Sequence, residues 1–307
     1  MLRRFLLYLS HARWARNIVT HWGLARRVAL RFVAGETMDN AIATAKAMND
    51  KGMQVSLDYL GESVEKEEDT REVVNTYKTL LEHINAEKLD ASISVKLTHL
   101  GLDIEEALCV NNLREILITA KQYDVPVTID MESTDYTDRT LRIYRTMHED
   151  YGFDNVGTVI QAYLYRSADD MKALAEKGAH VRLCKGAYLE PPDKAFPKKA
   201  DVDKNYAALT ENYLQASPPA YLCIATHDEQ MILAAEQAIK RHNVVSNRYE
   251  FQMLYGIRSA RQTELVAAGY KMRVYVPFGA AWYPYFMRRL AERPANLWFF
   301  TRSMFQR

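Results

Sequence analysis

Two adjacent arginines near the end of the chain have the chemistry to bind an anion. Arg288 and Arg289 follow Tyr285 by three and four positions, and Glu292 lies four residues after Arg288. In a helix these four side chains share one face. A guanidinium group can form two parallel hydrogen bonds with a carboxylate or a phosphate and so fix the ligand's orientation. The alternative is a solvated helix face, on which Glu292 pairs with the arginines and adds only a few tenths of a kcal/mol.

The arginine pair follows a strand-like run, and the same alternation of strand and helix extends back to residue 53. Apolar, β-rich runs cover residues 53–60, 92–100, 125–132, 156–164, 180–188, 221–228, 249–256 and 272–279. Helical patterns between them include residues 63–84, 104–123, 137–151, 167–177 and 228–241. Eight strands, each followed by a helix, predict an α/β fold, a (β/α)8 TIM-like barrel. A doubly wound open sheet is the competing architecture, but no glycine-rich dinucleotide fingerprint follows any run.

The segment before the barrel is predicted to be helical. Residues 1–50 lack strong strand signals, and we expect them to form additional N-terminal helices that pack as an arm on a barrel domain of residues 51–307. The first 35 residues contain seven arginines and no acidic residue. A basic amphipathic helix there could instead contact an anionic membrane surface. An arginine-rich, acid-free start is also typical of an organelle transit peptide.

Polar residues at the ends of the predicted strands mark the expected active site, because catalytic groups of these barrels lie at the C-terminal ends of the strands. The residues are Asp58 with Glu62, Lys96 with His99, Asp130 with Glu132, Gln161, Lys185 with Tyr188, Thr226 with His227 and Asp228, Gln252 with Tyr255, and Tyr275. Lys96, Arg182 and Lys185 add cations suited to a carboxylate or a diphosphate. Either lysine could also form a Schiff base. These residues alone leave hydride transfer and aldol-type chemistry both open.

Composition excludes several other classes of function. A formal net charge of +1 argues against a dedicated nucleic-acid binder. The three cysteines, Cys109, Cys184 and Cys223, lie far apart, so we expect no metal site and a reducing compartment. No apolar run approaches the roughly 18 residues that a membrane-spanning helix needs. The polar, proline-containing segment 190–205 is the longest predicted connection, and we expect it to form a mobile flap near the barrel mouth.

Motifs in a fixed order resemble the proline dehydrogenase family, in its monofunctional bacterial form, over roughly residues 30–305. They are SLDYLGES (56–63), SVKLTHLG (94–101), TIDMES (128–133), VIQAYLYRS (159–167), VRLCKGAY (181–188), ATHD (225–228), YEFQMLYGIR (249–258), VYVPFG (274–279) and YFMRRLAER (285–293). The resemblance implies a distorted (β/α)8 barrel with non-covalent FAD. It also implies oxidation of L-proline to Δ1-pyrroline-5-carboxylate, with hydride passing from proline C5 to flavin N5.

The resemblance further implies partners and a location. Ubiquinone or menaquinone would reoxidise the flavin, and a separate pyrroline-5-carboxylate dehydrogenase would take the product. The expected location is the cytoplasm, with or without peripheral contact with the inner face of the cell membrane.

Individual residues match positions with known roles in that family. The substrate set comprises the carboxylate-binding cations Lys96, Arg288 and Arg289, the ring-packing residues Leu254, Tyr275 and Tyr285, Asp130 at the pocket base, and Glu62, which pairs with Arg288 as a gate. The FAD set comprises Gln161, Arg182, Lys185, Gly186, Tyr188, Thr226, His227 and Asp228, with Arg182 expected near flavin N5. The sequence departs from the family where Asp228 replaces a common Asn and Phe278 a common Tyr or Val.

Overall fold

Eight parallel strands close into a barrel in which each strand pairs with the next and β8 pairs with β1. The computed structural model describes Leu9, residues 30–290 and the backbone of residues 291 and 292. The strands are β1 (Gln54–Tyr59), β2 (Ala91–Val95), β3 (Val127–Ile129), β4 (Val156–Gln161), β5 (His180–Cys184), β6 (Tyr221–Ala225), β7 (Tyr249–Leu254) and β8 (Met272–Phe278). The predicted (β/α)8 barrel is therefore confirmed, and the open sheet is wrong.

Helices alternate with the strands and cover the outside of the barrel. They are α1 (Met38–Asn49), α2 (Glu67–Ala86), α3 (Glu106–Gln122), α4 (Thr134–Arg145), α5 (Ser167–Glu176), α6 (Lys199–Leu214), α7 (Glu229–Arg241), α8 (Ser259–Ala267) and α9 (Trp282–Glu292). A π-helical turn, Thr146–Asp150, extends α4. No helix in the described residues is long and apolar enough to cross a membrane.

Helix α1 precedes the barrel, as expected for a fold with additional N-terminal helices. Thr37 begins it with a capping box, in which its side chain accepts from the Asn40 backbone N–H while the Asn40 side chain interacts with the backbone N–H of Thr37. Its buried residues Ala41 and Ala45 join the main core. The basic stretch before residue 30 lies outside the described residues except for Leu9, so the boundary at residue 50 and the membrane contact stay predictions.

The strands are buried on both faces because helices cover one face and the barrel interior encloses the other. In β2 all five residues are buried. Side chains alternate along a strand, so Ile93 and Val95 pack toward the helices while Ser92 and Ser94 face the interior. Tyr77 of α2 anchors this strand from outside, because its hydroxyl donates to the Ser94 carbonyl at 2.9 Å.

The polar segment 190–205 is shorter as a connection than predicted, because α6 already begins at Lys199. Its first part is also attached to the barrel. Ala195 forms an antiparallel bridge with Leu164, and the Phe196 N–H donates to the Tyr163 carbonyl at 2.7 Å. The predicted extent is therefore too long, because the lysine-rich half of the segment begins a helix and the proline-containing half is hydrogen-bonded to the loop after β4. The mobility of the remaining connection stays a prediction.

Two isoleucines of α3 provide a test of the barrel's outer core. Ile116 is 0% exposed, whereas Ile118 is 52% exposed on the same helix. We expect Ile116→Ala to lower the free energy of unfolding by about 2–5 kcal/mol, since it removes buried methyl groups and leaves a cavity. Ile118→Ala should change it by less than about 0.5 kcal/mol. Urea unfolding measures both, and equal losses would contradict the described packing of α3.

Candidate active site

A buried lysine between two carboxylates lies at the C-terminal end of the barrel. Lys96 follows β2, and its Nζ lies 3.0 and 2.9 Å from the two carboxylate oxygens of Asp58. The same Nζ lies 3.4 Å from Oδ2 of Asp130, which follows β3. Burial lowers the pKa of Lys96, but Asp58, Tyr275 and Asp130 together raise it well above its usual value. Lys96 is therefore held as a cation with all three of its N–H groups engaged.

Arg182 of β5 lies deeper in the barrel and is held from several strands. Its Nε donates to Gln252 Oε1 at 2.7 Å, and its Nη1 donates to Asp130 Oδ1 at 2.6 Å. Its Nη2 donates to the hydroxyls of Ser56 and Ser94 at 3.3 and 2.9 Å. Four of the five guanidinium N–H groups thus go to described residues, which leaves one for another acceptor.

Asp130 connects the lysine and the arginine to the last strand. Its Oδ2 accepts from the Tyr275 hydroxyl at 2.7 Å, and the Arg182 guanidinium lies 5.2 Å from the Tyr275 ring centre. Asp58, Lys96, Asp130 and Arg182 carry two positive and two negative charges when ionised, so the cluster compensates its own charge. Such compensation is needed because an unpaired charge is costly to bury.

A second ion pair spans the barrel mouth. Arg288 of α9 makes two hydrogen bonds to the carboxylate of Glu62, one of them from Nη1 to Oε2 at 2.9 Å. Glu62 is on the loop after β1, and Gly61 brings this loop against His99: a Cβ at Gly61 would lie 2.1 Å from the His99 ring. Glu62 also acts electrostatically on Lys96, and Asp58 on Arg288, so the two clusters are neighbours.

The other arginine of the pair contacts the aromatic residue that the sequence placed on its face. The Arg289 guanidinium lies 5.3 Å from the centre of the Tyr285 ring. The predicted i, i+4 neighbours therefore meet in α9. Arg288 bonds Glu62, and the alternative pairing with Glu292 stays a prediction. The Glu292 side chain lies outside the described residues.

Residues after β5 and β6 form a third charged group. Lys185 bonds Asp203 of α6, and it bonds Asp228, which begins α7, at 2.7 Å. Lys199 contacts the same two carboxylates. Burial raises the pKa of Asp228, but hydrogen bonds from both lysines outweigh it and lower the pKa to about 2. Asp228 also caps α7 by accepting from the Gln230 N–H at 3.1 Å.

Neighbouring strand ends hold a histidine in one tautomer. Nε2 of His227 accepts from the backbone N–H of Leu254 at 2.9 Å. A nitrogen that accepts carries no proton, so a neutral His227 has its proton on Nδ1. Thr226 precedes it, and its hydroxyl accepts from the Asp228 N–H at 3.1 Å. These contacts fix the backbone between β6 and α7.

A buried side-chain oxygen at the mouth fits a large polar cofactor such as FAD. Gln161 at the end of β4 donates to the carbonyls of Met131 and Glu132, both at 2.9 Å. Its Oε1 is buried without a hydrogen-bond partner among the described residues, so it is available to a ligand donor. Gly186 has φ +110°, and a Cβ there would lie 2.4 Å from the Tyr163 ring, so only glycine lets the loop after β5 pack this closely against that ring.

The structure places the sequence-predicted residues at one end of the barrel, although their individual roles stay predictions. Direct contacts join Lys96, Asp130, Arg182 and Tyr275, and separately Arg288 with Glu62, Arg289 with Tyr285, Leu254 with His227, and Asp228 with Lys185 and Thr226. Tyr188 is partly buried near Glu62 and Arg288.

Several contributors were missing from the predicted site. The sequence marks Asp58 and Gln252 only as polar strand ends, and it predicts no role for Ser56, Ser94 or Asp203. The signal for Ser56 and Ser94 was present, because both are polar residues two positions before a charged one in an otherwise apolar strand. Asp203 carried no such signal, since it lies in the segment interpreted as a loop.

Comparison with known proteins gives consistent matches over the whole barrel. A family model described as proline dehydrogenase matches residues 41–302. Proline dehydrogenase 1 of Bacillus subtilis subsp. natto is 43% identical over 307 residues, which is 100% of both chains. Proline dehydrogenase of Deinococcus radiodurans is 40% identical over 286 residues, 92% of this chain and 90% of that protein. The crystal structure of proline utilization A (PutA) from Bdellovibrio bacteriovorus inactivated by N-propargylglycine has a TM-score of 0.82 at 26% identity, covering 92% of this chain and 34% of that chain.

The buried carboxyl of Glu132 gives the site a measurable pH dependence. Burial raises its pKa from 4.5 to about 7, against hydrogen bonds from Thr98. Between these values the unfolded chain releases a proton that the folded protein keeps, so the free energy of unfolding falls as pH rises. We expect Glu132→Gln to remove this pH-dependent fall in the free energy of unfolding.

Relative to Glu132→Gln, the wild-type protein should therefore lose up to about 3 kcal/mol of stability between pH 4.5 and pH 8. Urea unfolding of both proteins across this range measures the difference. A difference that is independent of pH would show that Glu132 does not retain its proton on folding.

Proposed function

The chain belongs to the proline dehydrogenase family, and from this premise we propose that it oxidises L-proline to Δ1-pyrroline-5-carboxylate with a non-covalently bound FAD. The observation that carries the proposal is the convergence of Arg288, Arg289, Lys96 and Arg182 at one end of the barrel, with aromatic side chains between them. A small amphoteric molecule with one carboxylate and an apolar ring needs this combination.

The arginine pair is proposed to bind the proline carboxylate. Guanidinium forks suit a carboxylate, and charge-assisted bonds contribute roughly 1.5–3 kcal/mol each. Arg288 already bonds Glu62. A bound carboxylate would therefore share or replace that partner, and Glu62 would act as a gate held closed by Arg288. Lys96 would add a third cation near the same carboxylate.

The apolar ring of proline would pack against the aromatic groups beside these cations. Tyr275 is oriented by its hydrogen bond to Asp130, and Tyr285 by the guanidinium of Arg289. Leu254 supplies an aliphatic surface next to His227. Fixing both the ring and the carboxylate holds C5 in one place, and such positioning can lower the barrier by several kcal/mol, up to about 7.

FAD supplies the hydride acceptor for C5 when it is bound. Among the chain's own groups, Gln161, Arg182, Lys185, Gly186, Tyr188, Thr226, His227 and Asp228 are proposed to hold it. The buried Gln161 Oε1, which has no hydrogen-bond partner among the described residues, supports this assignment. Lys185 would have to direct its remaining N–H toward the diphosphate, because Asp203 and Asp228 already bond it. The proline nitrogen must be unprotonated, since a cation resists losing hydride.

The remaining parts of the proposal concern location and partners. Reoxidation by ubiquinone or menaquinone would require access to the membrane, so we place the enzyme in the cytoplasm with peripheral contact at the inner face. The basic arm within residues 1–50 would make that contact, and residues 51–307 would form the catalytic barrel. A separate pyrroline-5-carboxylate dehydrogenase would consume the product.

A Schiff-base aldolase is the alternative on the same barrel, and the ion pairs argue against it. Its lysine must be neutral to attack a carbonyl. Lys96 is held as a cation by Asp58 and Asp130, and Lys185 lies between Asp203 and Asp228. A protein that binds proline without oxidising it is a further alternative. It would be distinguished by whether proline bleaches the flavin absorption.

Anaerobic addition of L-proline tests cofactor and substrate together. We expect the purified protein to be yellow and its flavin absorption to bleach with L-proline and not with D-proline. A yellow protein that L-proline does not bleach would discard proline as the substrate. A protein that stays colourless after addition of FAD would discard the flavin, and borohydride trapping with candidate carbonyl substrates would then test the lysines.

Replacement of one arginine tests the carboxylate clamp. We expect Arg289→Lys to raise the Michaelis constant for proline more than tenfold, because a point charge cannot replace a guanidinium fork. Arg241→Lys on the exposed surface of α7 serves as the matched control and should leave the Michaelis constant for proline unchanged. Steady-state kinetics measure both constants. An unaltered constant in Arg289→Lys would remove Arg289 from the clamp.

A further inference from the structure

A chain of buried hydrogen bonds connects the bottom of the barrel to the guanidinium of Arg182. At the bottom, Glu250 accepts from Nε and Nη2 of Arg273 at 2.6 and 3.0 Å. The same carboxylate accepts from Nε2 of Gln252 at 2.6 Å. Oε1 of Gln252 in turn accepts from Nε of Arg182 at 2.7 Å. Glu250 and Gln252 are two residues apart on β7, so both face the interior.

The orientation of the Gln252 amide follows from its two neighbours. Arg273 lowers the pKa of Glu250 against the effect of burial, so the carboxyl is ionised and can only accept hydrogen bonds. The NH2 group of Gln252 must then face Glu250. The carbonyl oxygen must face Arg182, which can only donate. Glu250 is 2% exposed, Gln252 5% and Arg182 6%, so water does not compete for these bonds.

We propose that Glu250 is a positioning residue for the reaction: it fixes the Gln252 amide, which holds the Arg182 guanidinium in one orientation, in which Arg182 would act on a bound flavin. Without the Nε bond, the guanidinium would keep its contacts with Asp130, Ser56 and Ser94 only through its terminal nitrogens. It could then turn about them and change the distance from its positive charge to the flavin ring. The inference rests on the proposed function, since it needs a flavin to bind near Arg182.

Removing the charge of Glu250 should therefore change the reduction rate and the midpoint potential of the bound flavin. In Glu250→Gln, residue 250 can accept or donate, so the Gln252 amide can turn its NH2 toward the Arg182 N–H. Two donors would then face each other and displace the guanidinium. We expect the rate constant for flavin reduction by L-proline to fall at least tenfold. The flavin midpoint potential should shift to a more negative value, because a nearby cation stabilises reduced flavin. Half-saturation by proline should change less than threefold.

A double-mutant cycle separates this route from general damage to the barrel. Gln252→Met keeps the side-chain length and the Glu250–Arg273 pair but removes both hydrogen bonds of the amide. Residue pairs that act through one another have non-additive effects. We expect Glu250→Gln to reduce the rate less than twofold when it is introduced into Gln252→Met. An undiminished tenfold effect in that background would overturn the proposal.

A matched control lies on the other side of the same carboxylate. The Tyr221 hydroxyl donates to Glu250 Oε2 at 3.2 Å and makes no hydrogen bond with Gln252 or Arg182. Tyr221→Phe should leave the midpoint potential and reduction rate unchanged. Glu250→Gln can fail to fold because Arg273 is left unpaired. In that case the double variant Glu250→Gln/Arg273→Met removes both charges, and it should give the same negative shift of the flavin midpoint potential.

The measurements also separate the inference from the proposed function. Wild-type protein that does not bleach with L-proline overturns the proposed function. Wild-type protein that bleaches, with Glu250→Gln giving the wild-type potential and rate, overturns only the positioning role of Glu250. The ratio of flavin to protein absorption in each variant shows whether the cofactor is bound in equal amounts.

Discussion

The shared carboxylate of Asp130 is the interaction on which the site depends. It accepts from Arg182 on one oxygen and from Tyr275 on the other, with Lys96 at 3.4 Å. These groups come from four different parts of the barrel wall. Two cations can be buried here only because Asp130 contacts both of them and Asp58 pairs with Lys96, since the cost of desolvating an uncompensated charge would exceed any gain from packing. Charge balance therefore fixes where each cation points.

The pairing of each cation with a carboxylate also limits how strongly an anionic ligand can bind. Arg288 is paired with Glu62, Lys185 with Asp203 and Asp228, and Lys96 with Asp58. An anion gains affinity only by the difference between its contacts and those it replaces. On the proposed function, a weakly matched anion would thereby be rejected, while a carboxylate that reaches both arginines and also fills the aromatic space would be favoured. Internal carboxylates thus contribute to specificity as well as to stability.

The sequence predicted the barrel well because its pattern is strong: eight apolar runs with polar ends recur around helical stretches. The residues at those ends were predicted to meet, and the closed sheet brings them together. What the residue pattern alone could not give was which partner each residue takes. Helical spacing offers Arg288 only Glu292 as a partner, whereas the family resemblance implies Glu62, which is distant in sequence, and Arg288 bonds Glu62. Asp203 was hidden in a segment whose prolines and lysines suggested a loop, although its second half has helical order.

The pairing of β1 with β8 and the Glu62–Arg288 bond both join residues from the two ends of the barrel sequence. Glu62 and Arg288 are 226 positions apart. Contacts of such long range close late in folding, because the intervening chain must first lose its entropy. A nascent chain on the ribosome can build its first helices and strands early, but it cannot assemble the two-arginine mouth before α9 has been synthesised. Competence to bind an anion there would therefore be acquired in one late step, together with closure of the barrel.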